Sequence, residues 1–177
     1  QEDAEVNRPV TLALPSYDHG ICTTKLIGET IGAHFDRQAA RHRNGVALTV
    51  RHQQVRWTWG ELAERVNALA KGLLALGLQP GDRVGIWSPN NAEWVQTQFA
   101  CAKAGLVLVN LNPAYRRMEL EFAMNKVGCR ALILAPSLKS SNYIEMVTDL
   151  VQAGKLPGLA FMIRLGAEST PGMLNFD

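Results

Sequence analysis

Ser137-Leu138-Lys139-Ser140-Ser141 places one lysine among three hydroxyls in a short stretch. An ammonium flanked by hydroxyl donors can hold a phosphate. The case strengthens if the stretch opens a helix, because free N–H groups and the helix dipole both favour an anion there. Ser137, Lys139 and Ser140 are therefore the candidate phosphate contacts. The same residue types also make an ordinary solvated loop with a helix cap. Two further stretches, Ser88-Pro89-Asn90-Asn91 and Asn110-Leu111-Asn112-Pro113, combine cap residues with a proline suited to a first helical turn. Capping explains them without a ligand.

Other chemistries lack their residues. No G-x-G-x-x-G or G-x-x-x-x-G-K-[ST] phosphate loop occurs, and no G-x-S-x-G nucleophile turn. His19, His34, His42 and His52 are dispersed and form no metal-ligand spacing, although His34 and His42 could share one side of a helix. Cys22, Cys101 and Cys129 are too few and too scattered for a disulfide framework, and they read as buried thiols in a reducing cytosol. Trp57, Trp59, Trp87 and Trp94 read as core packing. Arg116 and Arg117 lie beside Glu119 and Glu121 and read as a surface ion-pair set.

A net charge of +2 without a basic block argues against strong nucleic-acid binding. The start, Gln1-Glu2-Asp3-Ala4-Glu5, has neither the basic nor the apolar character of a targeting peptide. The longest apolar stretch, Phe99 to Leu111, is broken by Lys103 and is too short to span a bilayer. A cytoplasmic protein without a transmembrane segment, at most peripheral at a membrane, is expected.

The elements that must position these residues follow from periodicity. Residues 1–27 mix charge, Pro9, Pro15 and Gly20 without a period, and read as an arm on the surface. Ile31, Phe35 and Ala39 predict a helix over about 28–43, stopped by Asn44-Gly45. Val46–Val50 and Val55–Thr58 predict a small hairpin. Thr58 and Glu61 form a capping box ahead of a helix whose apolar face carries Leu62, Val66, Leu69, Leu73 and Leu76, with Gly77 as its stop. Gln79-Pro80-Gly81-Asp82 suits a type II turn.

Strand and helix then alternate. Arg83–Trp87 is a strand, and Ser88-Pro89-Asn90 opens a helix to Ala104. Leu106–Val109 is the next strand, and Asn112-Pro113 opens a helix that Gly128 closes. Ala131–Leu134 precedes a helix over about Ser141–Val151, and Leu159–Ile163 is a fourth strand. Strands without polar alternation, separated by helices, predict an α/β fold: a three-layer, open, mostly parallel sheet with helices on both faces, preceded by the hairpin. It spans residues 28–165, and the polar stretch 166–177 reads as a linker into further sequence. Ligands of such sheets gather at the C-terminal ends of the strands, which is where all three polar stretches fall.

Three sequence segments carry a family resemblance. Thr58-Trp59-Gly60-Glu61-Leu62 resembles the L-T-Y-x-E-L core segment of adenylate-forming enzymes, with Trp57 and Trp59 in place of leucine and tyrosine. Pro80-Gly81-Asp82-Arg83-Val84 resembles their K-G-D-R-V turn and strand. Ala102-Lys103-Ala104-Gly105 followed by Asn112-Pro113 resembles their L-K-A-G…P segment. The runs Arg83–Asn90 and Val109–Tyr115, with Met118-Glu119-Leu120-Glu121, are similar to medium- and long-chain fatty-acyl-CoA synthetases. A luciferase, an aryl-CoA ligase or a peptide-synthetase adenylation domain stays open as an alternative within the family.

The resemblance implies the N-terminal subdomain of an acyl-CoA synthetase/luciferase-type fold. It also implies a two-step reaction in which a carboxylate attacks the α-phosphate of ATP, and the thiol of CoA then displaces AMP from the acyl-adenylate. ATP, Mg2+, CoA and a fatty acid are the implied ligands, with the rest of a longer chain as partner and a homodimer as one assembly. By position in the family, the loop Ser137-Leu138-Lys139-Ser140 would contact CoA phosphates. The Gly/Ser/Thr-rich phosphate loop and the C-terminal lysine of such enzymes are absent here, so no catalytic residue is assigned and the chain alone is expected to be inactive. A non-catalytic binding or assembly module of the same fold is the different-class alternative, and an oxidoreductase with an unusual nucleotide turn is a third.

Overall fold

A computed structural model describes Gly20 and residues 23–176. Most of the expected arm, with His19 and Cys22, lies outside the described residues. The first helix, α1 (Ile31–Arg41), begins where Thr30 Oγ1 accepts from the Ala33 N–H at 3.2 Å. It is shorter at both ends than the apolar period suggested. Its buried stripe is Gly32, Phe35 and Ala39. A β-carbon at Gly32 would meet the Lys103 backbone at 3.2 Å, so the glycine lets α1 approach its neighbour closely.

The hairpin β1 (Val46–Val50) and β2 (Val55–Thr58) is antiparallel as expected. Its turn is a single 3-10 turn over Arg51–Gln53, which ends with Gln54 in the left-handed region at φ 55°. A glutamine does here what glycine usually does.

Helix α2 (Trp59–Ala75) starts on the complete capping box: Thr58 Oγ1 accepts from Glu61 N, and Glu61 accepts from Thr58 N at 2.7 Å. Leu62, Val66, Ala70 and Leu73 are buried along its inner face. The Gln79–Asp82 turn closes with Asp82 N donating to Gln79 O at 2.9 Å, and Gly81 has the positive φ (89°) that a type II turn requires at that position.

The main sheet contains β3 (Arg83–Trp87), β4 (Val107–Asn110), β5 (Cys129–Leu134), β8 (Phe161–Arg164) and β9 (Leu174–Asn175). Between β5 and β8 a separate small hairpin is formed by β6 (Ser137–Leu138) and β7 (Ser141–Asn142). The strand order is β4-β3-β5-β8-β9, and every pairing is parallel. Strand β9 lies within 166–177, so that stretch contributes to the sheet and is more than a linker.

The connecting helices are α3 (Ala92–Ala104), α4 (Arg117–Val127) and α5 (Tyr143–Gln152). Helices α1, α2 and α3 pack on one another over one face of the sheet, and α4 and α5 pack together over the other. Val84, Ile86, Trp87, Leu132, Ile133 and Leu134 are fully buried between these layers. Burial on both faces is why these strands read as continuous apolar runs rather than alternating ones. Among the described residues, no helix is long and apolar enough to cross a membrane.

Two helix entries differ from the sequence expectation. The cap of α3 is Asn91, not the preceding Ser-Pro-Asn. Asn112-Pro113 does not open α4. Asn112 instead makes a local turn, its Oδ1 accepting from Ala114 N at 2.9 Å and its backbone oxygen from Tyr115 N at 3.0 Å. Helix α4 starts later, where Glu119 reaches back to the Arg116 N–H at 3.0 Å. Proline fits either a first helical turn or a reverse turn, and here the asparagine side chain selects the turn.

Candidate functional site

The strand order gives the sheet a topological switch point. From β3 the chain crosses to β4 on one side, and from β5 it moves to β8 on the other. Ligands of doubly wound sheets bind in the crevice that this reversal opens at the carboxyl ends of the two central strands. Those ends are Trp87-Ser88 and Leu134-Ala135. A crevice of about 510 Å³ lies there, lined among others by Asn91, Ala135, Pro136, Gln53 and Arg164.

Its polar groups are largely committed to the fold. Asn91 Oδ1 accepts from Trp94 N at 2.8 Å, and its amide donates to Ser88 Oγ at 2.7 Å. Gln53, on the β1–β2 turn, accepts from Ala92 N at 2.7 Å and donates to Glu93 Oε2 at 2.8 Å. The hairpin thus supplies a cap to α3 from far along the chain, which no local pattern could reveal. Arg164 is buried at 4% exposure, and its terminal nitrogens donate to the Glu168 backbone oxygen and carboxylate, folding the β8–β9 loop around the guanidinium. Its Nε is buried without a hydrogen-bond partner.

Beneath the crevice, two buried rings join three loops. Trp87 stacks on Tyr143 with centroids 3.8 Å apart and planes at 15°. Trp87 Nε1 donates to Asn112 O at 3.1 Å, and the Tyr143 hydroxyl donates to Pro113 O. The end of β3, the β4–α4 turn and the start of α5 are therefore fixed to one another. Burial pushes the Tyr143 phenol above its ordinary range, which keeps the hydroxyl protonated as a donor.

The candidate phosphate contacts sit elsewhere than expected. Ser137 is on β6, and Lys139-Ser140 forms the tip of the β6–β7 hairpin, with Lys139 left-handed at φ 51°. Ser137, Lys139 and Ser140 are exposed. The hairpin therefore separates them from the N-terminus of α5. That helix end is already satisfied: Tyr143 N and Ile144 N donate to Pro136 O, Glu145 N donates to the Asn142 cap, and Glu145 adds a negative charge to the first turn. The helix-terminus argument for an anion thus falls away. What remains is an exposed lysine between two serines on a tight turn.

The other candidates keep structural roles. Arg117 bridges α4 to α5, pairing with Glu145 at 3.1 Å and with Asp149, while Glu121 meets Lys155 at 3.9 Å. Only Arg116 keeps its expected neighbour, through its backbone N–H and Glu119. His34 pairs with Glu29 at 2.7 Å on the surface. Cys101 and Cys129 are buried free thiols, and burial pushes them up to about 12 and about 11. Among the described residues, no group of three or more histidines, cysteines and acids could hold a metal ion, so no Mg2+ position is assigned here.

Comparisons with known proteins agree with this architecture. The AMP-binding enzyme family model matches residues 35–177. The chain is 40% identical over 186 residues to the mitochondrial medium-chain acyl-CoA ligase ACSF2 of Pongo abelii, covering 98% of the chain and 30% of that protein. It is 30% identical over 164 residues to the putative acyl-CoA synthetase YngI of Bacillus subtilis, covering 86% of the chain and 30% of that protein. A solved putative long-chain-fatty-acid CoA ligase from Rhodopseudomonas palustris superposes with a TM-score of 0.73 at 26% identity, over 84% of this chain and 35% of that one. The chain thus spans about 30% of the length of the curated relatives it matches. With motifs, fold and family model in agreement, the chain belongs to the AMP-binding enzyme family.

Proposed function

We propose that this chain is the N-terminal subdomain of a fatty-acid–CoA ligase that forms an acyl-adenylate from ATP and a fatty acid and passes the acyl group to CoA. The observation that carries the proposal is the 40% identity to a medium-chain acyl-CoA ligase across 98% of the chain. ATP, Mg2+ and CoA are its proposed cofactors. The described residues form no acidic cluster for the magnesium, so its ligands belong to the remainder of the enzyme in this reading. The buried free thiols fit a reducing compartment, and we take that to be the cytosol.

The role of this chain in the proposal is to build the parallel sheet, with β9 at its edge, and to hold the loops at its carboxyl edge. Trp87 and Tyr143 fix the geometry of that edge. The exposed Ser137-Lys139-Ser140 turn is the proposed contact for CoA phosphates, offering one point charge and two hydroxyls without a prebuilt cage. An exposed ion pair of this kind contributes about 1 kcal/mol or less.

The test uses the full-length polypeptide that carries this sequence. Fatty-acid-dependent release of AMP and formation of acyl-CoA are expected from it and not from residues 1–177 alone. In the full-length enzyme, Lys139→Ala should raise the KM for CoA roughly threefold to fivefold and leave adenylate formation unchanged. An unchanged KM for CoA would remove Lys139 from the site without touching the ligase assignment.

A further inference from the structure

Among the described residues, one buried side-chain nitrogen or oxygen has no hydrogen-bond partner, and it is Nε of Arg164. Buried donors are paired almost without exception, because an unmade hydrogen bond costs the desolvation of the group. Arg164 stands at the carboxyl end of β8 and lines the switch-point crevice together with Asn91, Pro136 and Glu168. The orphan donor therefore belongs to a residue at the place where ligands of such sheets bind.

The shape of the guanidinium says what would satisfy it. Its donors form a rigid planar fork, in which Nε–H and one N–H of Nη2 point the same way along one edge. A carboxylate or phosphate matches that edge with two parallel hydrogen bonds. Here Glu168 meets Nη2 with the single oxygen Oε2, and its backbone oxygen takes Nη1, so the edge is only half used.

The two partners are also unequal. The Arg164 side chain is 5% exposed and that of Glu168 is 86% exposed. The backbone of Arg164 is fixed from both sides, paired with Leu134 of β5 and accepting from Phe176 N at 3.0 Å. Gly166, Ala167, Glu168 and Ser169 are all exposed, in a loop that turns at Gly166 with φ 90°. The arginine is therefore anchored, whereas its carboxylate partner is already in water and loses little on release.

We propose that Arg164 is an oxyanion-recognition site of the crevice and that Glu168 is its built-in placeholder. A phosphate or carboxylate group of a ligand entering the crevice takes Nε and Nη2 together and displaces the Glu168 side chain into solvent. Glu93 also lines the crevice, its carboxylate accepting from Gln53 at 2.8 Å. Two carboxylates beside one guanidinium favour a ligand that offers the two-point match over an anion drawn by charge alone. This inference does not rest on the ligase reading, and its test needs no turnover.

Isothermal titration of the full-length polypeptide with inorganic phosphate, and separately with acetate, reads the site. Glu168→Ala removes the placeholder at an exposed position and should tighten binding of at least one of the two anions by roughly fivefold. In the Arg164→Met background, which keeps an unbranched stem in the buried position, the same change should bring no gain. Arg164→Gln is the control if the methionine chain does not fold. A gain with phosphate alone identifies a phosphate ligand, a gain with acetate alone a carboxylate ligand, and a gain with both an oxyanion of either kind. No gain from Glu168→Ala with either anion, or the same gain once Arg164 is replaced, would overturn the proposal and leave Glu168 as a clasp of the β8–β9 loop only.

Discussion

Two glycine-to-alanine substitutions should move stability in opposite directions. Gly128 ends α4 in the left-handed region at φ 63°, and a β-carbon there would lie 2.9 Å from Nη2 of Arg83. That guanidinium is engaged, since its Nε donates to Val127 O at 2.8 Å. Alanine in a left-handed conformation costs about 1–2 kcal/mol, and a displaced hydrogen bond costs about 0.5–1.5 kcal/mol. Gly128→Ala should therefore destabilise by about 2–3 kcal/mol. Gly72 lies inside α2, exposed, with nothing within 4 Å of the place a β-carbon would take. Gly72→Ala should stabilise by about 0.5–1 kcal/mol, because alanine loses less backbone freedom in a helix. Urea unfolding followed by far-ultraviolet circular dichroism reads both. With a slope of about 2 kcal/mol per molar, the midpoint falls by about 1 M for Gly128→Ala and rises by about 0.3 M for Gly72→Ala. Equal midpoints for the two variants would refute the reasoning, since they differ only in backbone region and neighbours.

Tyr143→Phe removes the hydroxyl that donates to Pro113 O while keeping the stack on Trp87, and should cost about 1–2 kcal/mol in the same urea assay; a parental midpoint would show that the bond does not hold the β4–α4 turn. The hydrogen bonds from Thr58 hold the Glu61 carboxyl below its ordinary 4.5, so the folded state binds its proton less readily than the unfolded one. Its contribution is complete above that value and disappears as pH falls through the lower folded value, and Glu61→Gln should flatten the acid limb of a stability–pH profile. A limb of unchanged slope would contradict the capping-box geometry. Cys101 and Cys129, pushed up to about 12 and about 11, should resist iodoacetamide at pH 8 in the folded chain and react after unfolding. Peptide mapping that finds either one labelled at the rate of a free thiol before unfolding would contradict their burial.

Elements governed by local rules were legible in the sequence. Val46–Val50, Val55–Thr58 and Arg83–Trp87 stand with the limits that periodicity suggests, and the Thr58–Glu61 box and the Gly81 turn are as their residue types require. What escaped were features decided by distant partners. Gln53 caps α3 across the fold, Arg117 pairs with the neighbouring helix rather than its own, and Leu174–Asn175 becomes a strand only because β8 offers an edge. The Ser137–Ser141 stretch misled for a related reason. Serine and asparagine serve helix caps and tight turns equally, and the left-handed Lys139 that commits the chain to a hairpin has no compositional signal. The family, in contrast, was readable because its segments are short, ordered and carried by the elements the periodicity had already placed.

The most direct test of the central claim is fatty-acid-dependent AMP formation by the full-length polypeptide, measured with ATP, Mg2+ and CoA and alongside residues 1–177 alone. AMP and acyl-CoA are expected from the full-length enzyme and none from the 177-residue chain. No fatty-acid-dependent AMP from the full-length enzyme would contradict the ligase assignment, and AMP from the shorter chain would contradict the division of labour proposed for it.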